Sequence, residues 1–306
     1  MPTPFLTRSL CAMACALAAL PAAHAQVSAG GGNGKLLLTS GVSSIDGAAG
    51  GGLTPWAVTG SYASVGQFGG TAFVTGVKTQ DYDLVNFGAA LSYGERVEFS
   101  IARQDFDTGP TGTALGLPGL HLKQNIFGAK LRVAGDAVLD SDNLMPQIAV
   151  GLLYKDLNAG GLAPTLEALG AKDSGTDFYV SATKLFLAQS FLVNLTLRAT
   201  KANQNGLLGF GGTAHDSYKL QPELSLAYLV SKNVAIGAEY RAKPDNLNPS
   251  ILGAGLREDD WKDVFVAWAP SKNLSLTLAY VDLGHIVPAV VSKRQTGAYL
   301  SAQLAF

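Results

Sequence analysis

Val193-Asn194-Leu195-Thr196-Leu197-Arg198-Ala199-Thr200 alternates apolar and polar residues without a break. Successive side chains of a strand point to opposite faces, so this stretch has one wholly apolar face and one polar face carrying Arg198. Leu274-Ser275-Leu276-Thr277-Leu278-Ala279-Tyr280 repeats the pattern, as does Val97-Glu98-Phe99-Ser100-Ile101. Alternation of this kind recurs from Trp56 to Phe306, and helical periodicity is nearly absent. The chain reads as all-β. A soluble sandwich would alternate too, with its apolar faces turned inward against each other. The choice between a sandwich and a transmembrane barrel rests on other features.

The connections alternate in length. Tight links fall at Gly94-Glu95-Arg96, Ala188-Gln189-Ser190, Ser231-Lys232-Asn233 and Pro270 to Asn273. Long ones occupy about Thr108 to Gly119, Leu157 to Gly175, Gln204 to Ser217, Pro244 to Asp260 and Leu283 to Gln295. Short turns at one end and long loops at the other are the habit of outer-membrane barrels. The hairpin Ala227-Tyr228-Leu229-Val230-Ser231-Lys232-Asn233-Val234 is echoed 40 residues later by Ala267-Trp268-Ala269-Pro270-Ser271-Lys272-Asn273-Leu274. Tyr228 and Trp268 fall on the outward phase just before the turn. Tyr240 and Tyr280 fall on it again after it, a strand length of roughly 20 Å away. Two aromatic levels so spaced match the girdles that flank a lipid-facing band.

Composition agrees. Charged residues make up 15% of the chain, well under the ~25% of soluble domains, and Gly is abundant at 36 residues. Lys and Arg number 22 against 23 Asp and Glu, so no basic footprint marks a nucleic-acid partner. Arg8, an apolar run from Leu10 to Leu20 and Ala23-His24-Ala25 read as a secretory signal peptide over residues 1–25, cut before Gln26. The apolar run falls short of the ~20 residues a spanning helix needs. Both cysteines, Cys11 and Cys15, lie in that leader, which excludes disulfides and thiolate metal sites from the rest. Residues 26–306 are expected to form one transmembrane, antiparallel, up-and-down barrel.

Strands are expected at about 36–44, 56–64, 71–81, 84–93, 97–106, 121–134, 145–156, 176–187, 191–203, 218–230, 234–243, 261–269, 274–282 and 297–306. That makes fourteen, the even number such barrels require. The first two are diluted by glycines. If Gln26 to Gly70 instead folds into the lumen as a plug, twelve remain, and residues 26–55 are expected to be either plug or first strand.

The chain ends Ala298-Tyr299-Leu300-Ser301-Ala302-Gln303-Leu304-Ala305-Phe306, apolar at alternate positions back from Phe306. This resembles the C-terminal signal read by the barrel-assembly machinery, which implies that Leu304 and Phe306 serve as that signal and that the machinery is a partner. Four further stretches resemble a proteobacterial family catalogued only as a domain of unknown function. They are Gly47-Ala48-Ala49-Gly50-Gly51-Gly52, Thr200-Lys201-Ala202-Asn203-Gln204, Arg241-Ala242-Lys243-Pro244-Asp245-Asn246-Leu247 and Glu258-Asp259-Asp260-Trp261. The resemblance runs from about Gly34 to Phe306. It implies an outer-membrane location in a Gram-negative cell and carries no catalytic residues. More distantly, the chain is similar to outer-membrane transporters for hydrophobic compounds, which plug their lumen with an N-terminal segment.

With the apolar phase toward lipid, Glu98, Lys130, Arg132, Arg198, Glu223, Glu239, Arg241 and Lys243 fall on the inward phase. A charge on the lipid face costs ~2–4 kcal/mol at the midplane, so this concentration itself favours a barrel. The expected function is a channel or passive transporter for small solutes, with these charges lining the path and setting selectivity. A structural or partner-binding barrel is the alternative, and an outer-membrane hydrolase a remoter one. For hydrolysis, His285 would have to work with Asp282, or His215 with Asp216 and Ser217, and neither lies in a recognisable nucleophile motif. No enzyme activity is expected. His121, His215 and His285 lack ligand spacing, so neither a metal nor any other cofactor is expected. The glycine runs at 30–34 and 47–52 lack the Lys-Ser/Thr ending of a phosphate loop and read as linker or plug. The acidic run Arg257-Glu258-Asp259-Asp260 is expected to be solvated.

Overall fold

The computed structural model describes residues 38, 40–64, 66–135, 144–251, 253 and 255–306. The expected leader, the glycine run at 30–34 and the start of the expected first strand lie outside these residues. All that is described belongs to one compact unit, Lys35–Phe306.

Two two-residue strands come first, β1 (Val42–Ser43) and β2 (Ala49–Gly50), paired with each other and not with the barrel strands. Twelve long ones follow. The first six are β3 (Phe68–Thr79), β4 (Asp83–Tyr93), β5 (Val97–Asp107), β6 (His121–Ala134), β7 (Gln147–Asn158) and β8 (Ser174–Phe186). The rest are β9 (Phe191–Thr200), β10 (Lys219–Ser231), β11 (Val234–Arg241), β12 (Trp261–Trp268), β13 (Leu274–Asp282) and β14 (Thr296–Ala305). Each pairs antiparallel with its sequence neighbour, and β14 closes on β3 in a register running from Gly297↔Thr79 to Ala305↔Thr71. The result is a closed barrel. Closure leaves no unpaired edge, the condition for a sheet to exist in a medium that cannot hydrogen-bond its backbone.

The barrel therefore has twelve strands, and the expected fourteen is corrected. Eight to fourteen residues per strand suffice to cross a bilayer at a tilt. The two supernumerary strands expected at 36–44 and 56–64 are not in the wall. Their described residues lie within the lumen, where the chain from Ser40 to Ser61 is buried throughout. Glycines at 41, 47 and 50–52 break any run long enough to join the wall. The connections keep their parity with two exceptions. The link 80–82 is a tight turn at the long-loop end, and the link 135–146 at the short-turn end is long.

The outer face is apolar. Phe99, Ile101, Val264 and Leu278 are each more than half exposed, as Leu195 and Leu197 nearly are. A band of this extent on a soluble surface would be an aggregation liability, whereas against lipid tails it is the stable arrangement. Tyr228 and Trp268 stand outward beside the short turns, and Tyr280 outward near the far end of β13. Tyr240 is outward on β11 and donates its hydroxyl to Asp260 in the following loop.

Leu278 sits mid-strand on this band. Leu278→Arg is expected to destabilise the inserted barrel by about 2–4 kcal/mol, the cost of a charge at the bilayer midplane. Thr277→Ser, one residue away on the lumen phase, should cost far less. The midpoint of unfolding in bilayer-mimicking liposomes measures both, and equal effects would contradict the assignment of faces.

Candidate functional site

Residues 40–64 form a plug. Its core is the β1–β2 hairpin, tied by Ser44 N–H to Ala48 O (2.9 Å) and Ile45 N–H to Gly52 O (2.8 Å). Gly47 takes a φ of +89° at the tip, a backbone conformation that side-chain-bearing residues avoid. Gly51 is needed for a different reason. A Cβ there would stand 2.0 Å from Glu239 Oε1 and would push that carboxylate away from its plug partners.

Charged wall residues hold the plug at three levels. Near its second half, the Glu98 carboxylate accepts the amides of Ala49 (2.9 Å) and Gly60 (2.8 Å). Lys130, paired with Glu98 at 3.1 Å, donates to the carbonyls of Ala49 and Val58. On the opposite wall Glu239 accepts from Leu53 N–H (2.7 Å), from the hydroxyl of Thr54 and from Ser225. The Pro55 carbonyl accepts from Ser181, Asn194 and Thr196. These contacts replace much of the water that would otherwise solvate a polar lumen.

The third level is an ion cluster around Asp46, beside the hairpin tip. Its carboxylate lies 3.0 Å from Lys155 Nζ, 2.9 Å from Arg241 and 3.3 Å from Arg198. Arg198 also pairs with Asp177 and Glu223, Lys155 with Asp177, and Arg241 with Glu223. Asn205 donates to Asp46 (2.9 Å) and accepts from Arg241 (2.7 Å). It descends from the loop between β9 and β10, whose residues Asn203–Gly206 turn inward and are all buried. The cations stack on aromatic rings as well, Arg198 over Tyr179 and Arg241 over Trp261, both at 5.8 Å.

Above the plug the long loops close the mouth. Two short helices, α1 (Gly109–Ala114) and α2 (Ala163–Ala168), and the loops around Leu207, Leu256 and Ile286 bury an apolar cluster. Between that cluster and the plug residues Ile45 and Leu53 lies an apolar cavity of about 50 Å³. At its rim Lys243 pairs with Glu258 (3.4 Å) and donates to Gln204, whose own amide N–H is accepted by Glu258. Burial pushes the Glu258 carboxyl up to about 7 against the pull of that ammonium, and burial likewise lowers Lys243. The acidic run is thus not solvated as expected. The Glu258 side chain is buried against Lys243, Asp259 holds His285, and Asp260 accepts from Tyr240 and from Lys243 N–H.

Seven of the eight inward charges read from the sequence (Glu98, Lys130, Arg198, Glu223, Glu239, Arg241 and Lys243) are buried inside, but they grip a plug or a loop instead of lining a water path. Arg132 stands apart, paired with Glu95 at 3.7 Å beside the tight β4–β5 turn. Lys155, Asp177 and Asp263 share the inward phase and were legible by the same counting, yet were missed beside the long loops. Asp46 was not legible, because no period places a side chain of an irregular plug. Leu304 faces outward in β14, and the Phe306 backbone exchanges hydrogen bonds with Gly70 across the seam. His285 pairs with Asp259 and not with Asp282, which is held by Arg294 at 2.8 Å.

The stretches that carried the family resemblance gather here, at the plug and the loop clasp above it. A family model described as a protein of unknown function (DUF3034) matches residues 39–303. No curated protein matches the sequence. Among solved structures, the KdgM porin in complex with disordered oligogalacturonate is 10% identical over 77% of this chain and 99% of its own, with a TM-score of 0.48. The NanC porin is 6% identical over 76% and 98%, with a TM-score of 0.49. The COG4313 outer membrane channel from Pseudomonas putida F1 is 12% identical over 80% and 97%, with a TM-score of 0.47. Likenesses this slight carry no information about cargo.

Proposed function

This chain belongs to the DUF3034 family, and we propose that it is an outer-membrane channel or passive transporter for small solutes, held shut by residues 40–64. One observation carries the reading: beside an apolar patch that includes Leu185, Leu192, Phe265 and Val281, much of the inner face of the barrel around the plug is hydrophilic. Asn86, Gln104, Ser181, Thr183, Asn194, Thr196 and Ser225 face inward alongside the charges. A barrel whose interior served only as a core would gain more from apolar side chains, since buried ion pairs contribute little net stability. A polar wall can instead exchange its plug contacts for water, as a porin wall does. The plug runs directly into β3, so it stays tethered to the wall when its contacts are released. The leader supports export, and Leu304 with Phe306 is proposed to direct assembly into the outer membrane.

The filled lumen also favours a second reading, a sealed structural barrel. A reversible lock separates the two. The hydroxyls of Thr54, on the plug, and Ser225, on β10, are in hydrogen-bond contact. Thr54→Cys with Ser225→Cys should form a disulfide that abolishes openings in planar bilayers until reductant restores them. A wild-type protein that never conducts at any applied potential would overturn the channel reading and leave the structural one.

A further inference from the structure

We infer that the wall around Asp46 is a binding site for the carboxylate of a small solute with an apolar body, and that Asp46 occupies it as a tethered surrogate. The inference rests on the channel reading above and names its solute class.

The wall contributes three cations here, Lys155, Arg198 and Arg241, against two carboxylates, Asp177 and Glu223. One positive charge is left over, and it is neutralised by Asp46, which belongs to the plug. Cations on three strands, β7, β9 and β11, converge on one carboxylate, with two of them guanidinium groups suited to planar anions. The Asn205 side-chain amide completes the shell. When the plug shifts, this cradle stays behind with its charge unmatched. It then accepts an anionic group from solution at little cost in rearrangement, because every donor is already positioned.

What lies next to the cradle sets the rest of the solute. The apolar cavity under the loops is bounded by Ile45, adjacent to Asp46 in the chain, and by Gln204, adjacent to Asn205. Trp261 lines the cavity and stacks on Arg241, so the two sites share a wall. Ile45 and Leu53 leave with the plug, which enlarges the cavity and joins it to the cradle. The combined space has a cationic end and an apolar end. It fits a compact monocarboxylate with an aliphatic or aromatic body, and it disfavours cations and bare small anions alike.

The test uses the full-length protein and cyclohexanecarboxylate as probe. Its neutral and cationic counterparts, cyclohexylmethanol and cyclohexylmethylamine, and acetate, which lacks the apolar body, are the comparisons. Asp46→Asn removes the surrogate, and calorimetric titration in detergent should show it binding cyclohexanecarboxylate at least about tenfold more tightly than wild type. Lys155→Gln added to Asp46→Asn should take that gain away. Neither protein should gain affinity for the amine, and acetate should bind more weakly than the probe. If Asp46→Asn fails to insert, wild-type protein at higher probe concentration should keep the order carboxylate, alcohol, amine. Equal binding of amine and carboxylate, or no gain in Asp46→Asn, would overturn the site. Binding as described by a protein that never conducts would leave the site standing and remove the channel reading. Openings without any carboxylate preference would do the reverse.

Discussion

Deletion of residues 40–64 is expected to leave a barrel that still inserts and to convert it into a continuously open pore. Barrel closure is made by β14 against β3, with nine registered pairs, and the plug contributes to none of them. What it does contribute is hydrogen bonds and ion pairs to polar wall groups that water can solvate, and apolar packing of Leu53, Trp56 and Val58 against one side of the wall. Current through single molecules should rise at least roughly tenfold, as expected when a plugged lumen becomes a water-filled one. Had residues 36–44 been the first strand, the same deletion would have exposed a sheet edge to lipid, at several kcal/mol per unpaired backbone group, and folded protein would have been lost. Planar-bilayer recordings, together with the heat-dependent gel shift of a folded barrel, separate these results. An inserted variant that conducts no more than the parent would mean that the loops, not the plug, seal the lumen.

Replacing Arg198 with Met should have the largest effect on stability of any single change in the lumen. Arg198 is almost wholly buried and touches three carboxylates, those of Asp46, Asp177 and Glu223. Removing one partner from a buried network leaves uncompensated charge and costs about 3–5 kcal/mol. The loss should appear as a lower unfolding midpoint and as more frequent openings, because the hairpin tip loses one of its anchors. Glu223→Gln added to Arg198→Met restores the balance between two cations and two carboxylates and should recover part of the loss. A double variant no better than the single one would show that the effect was lost packing against Tyr179 and not charge.

Much of this architecture was already present in one-dimensional form. The twelve wall strands fall within a few residues of the segments marked by period-2 alternation, and the phase of Val193 to Thr200 correctly turned Arg198 inward. That success has a simple cause. Lipid outside and polar contents inside impose opposite demands on alternate residues of every strand, so the pattern is written locally and repeatedly. The same logic made Glu98, Lys130, Glu223, Glu239 and Arg241 recognisable as inward charges, and would have added Lys155 and Asp177 had the counting been carried to the strand ends. What those charges do was not legible. Whether they face water or a plug depends on residues 40–64, whose glycine-broken chain has no period and is held by its own short hairpin and by the surrounding wall. Asp46 is the clearest case, an aspartate in an unremarkable Ile-Asp-Gly sequence that becomes the centre of an ion cluster because β7, β9 and β11 bring cations to it. Alternation with lipid determined the barrel; only tertiary contact among segments far apart in the chain decided that its lumen is closed, since a lumen's contents are set by what fits the assembled wall.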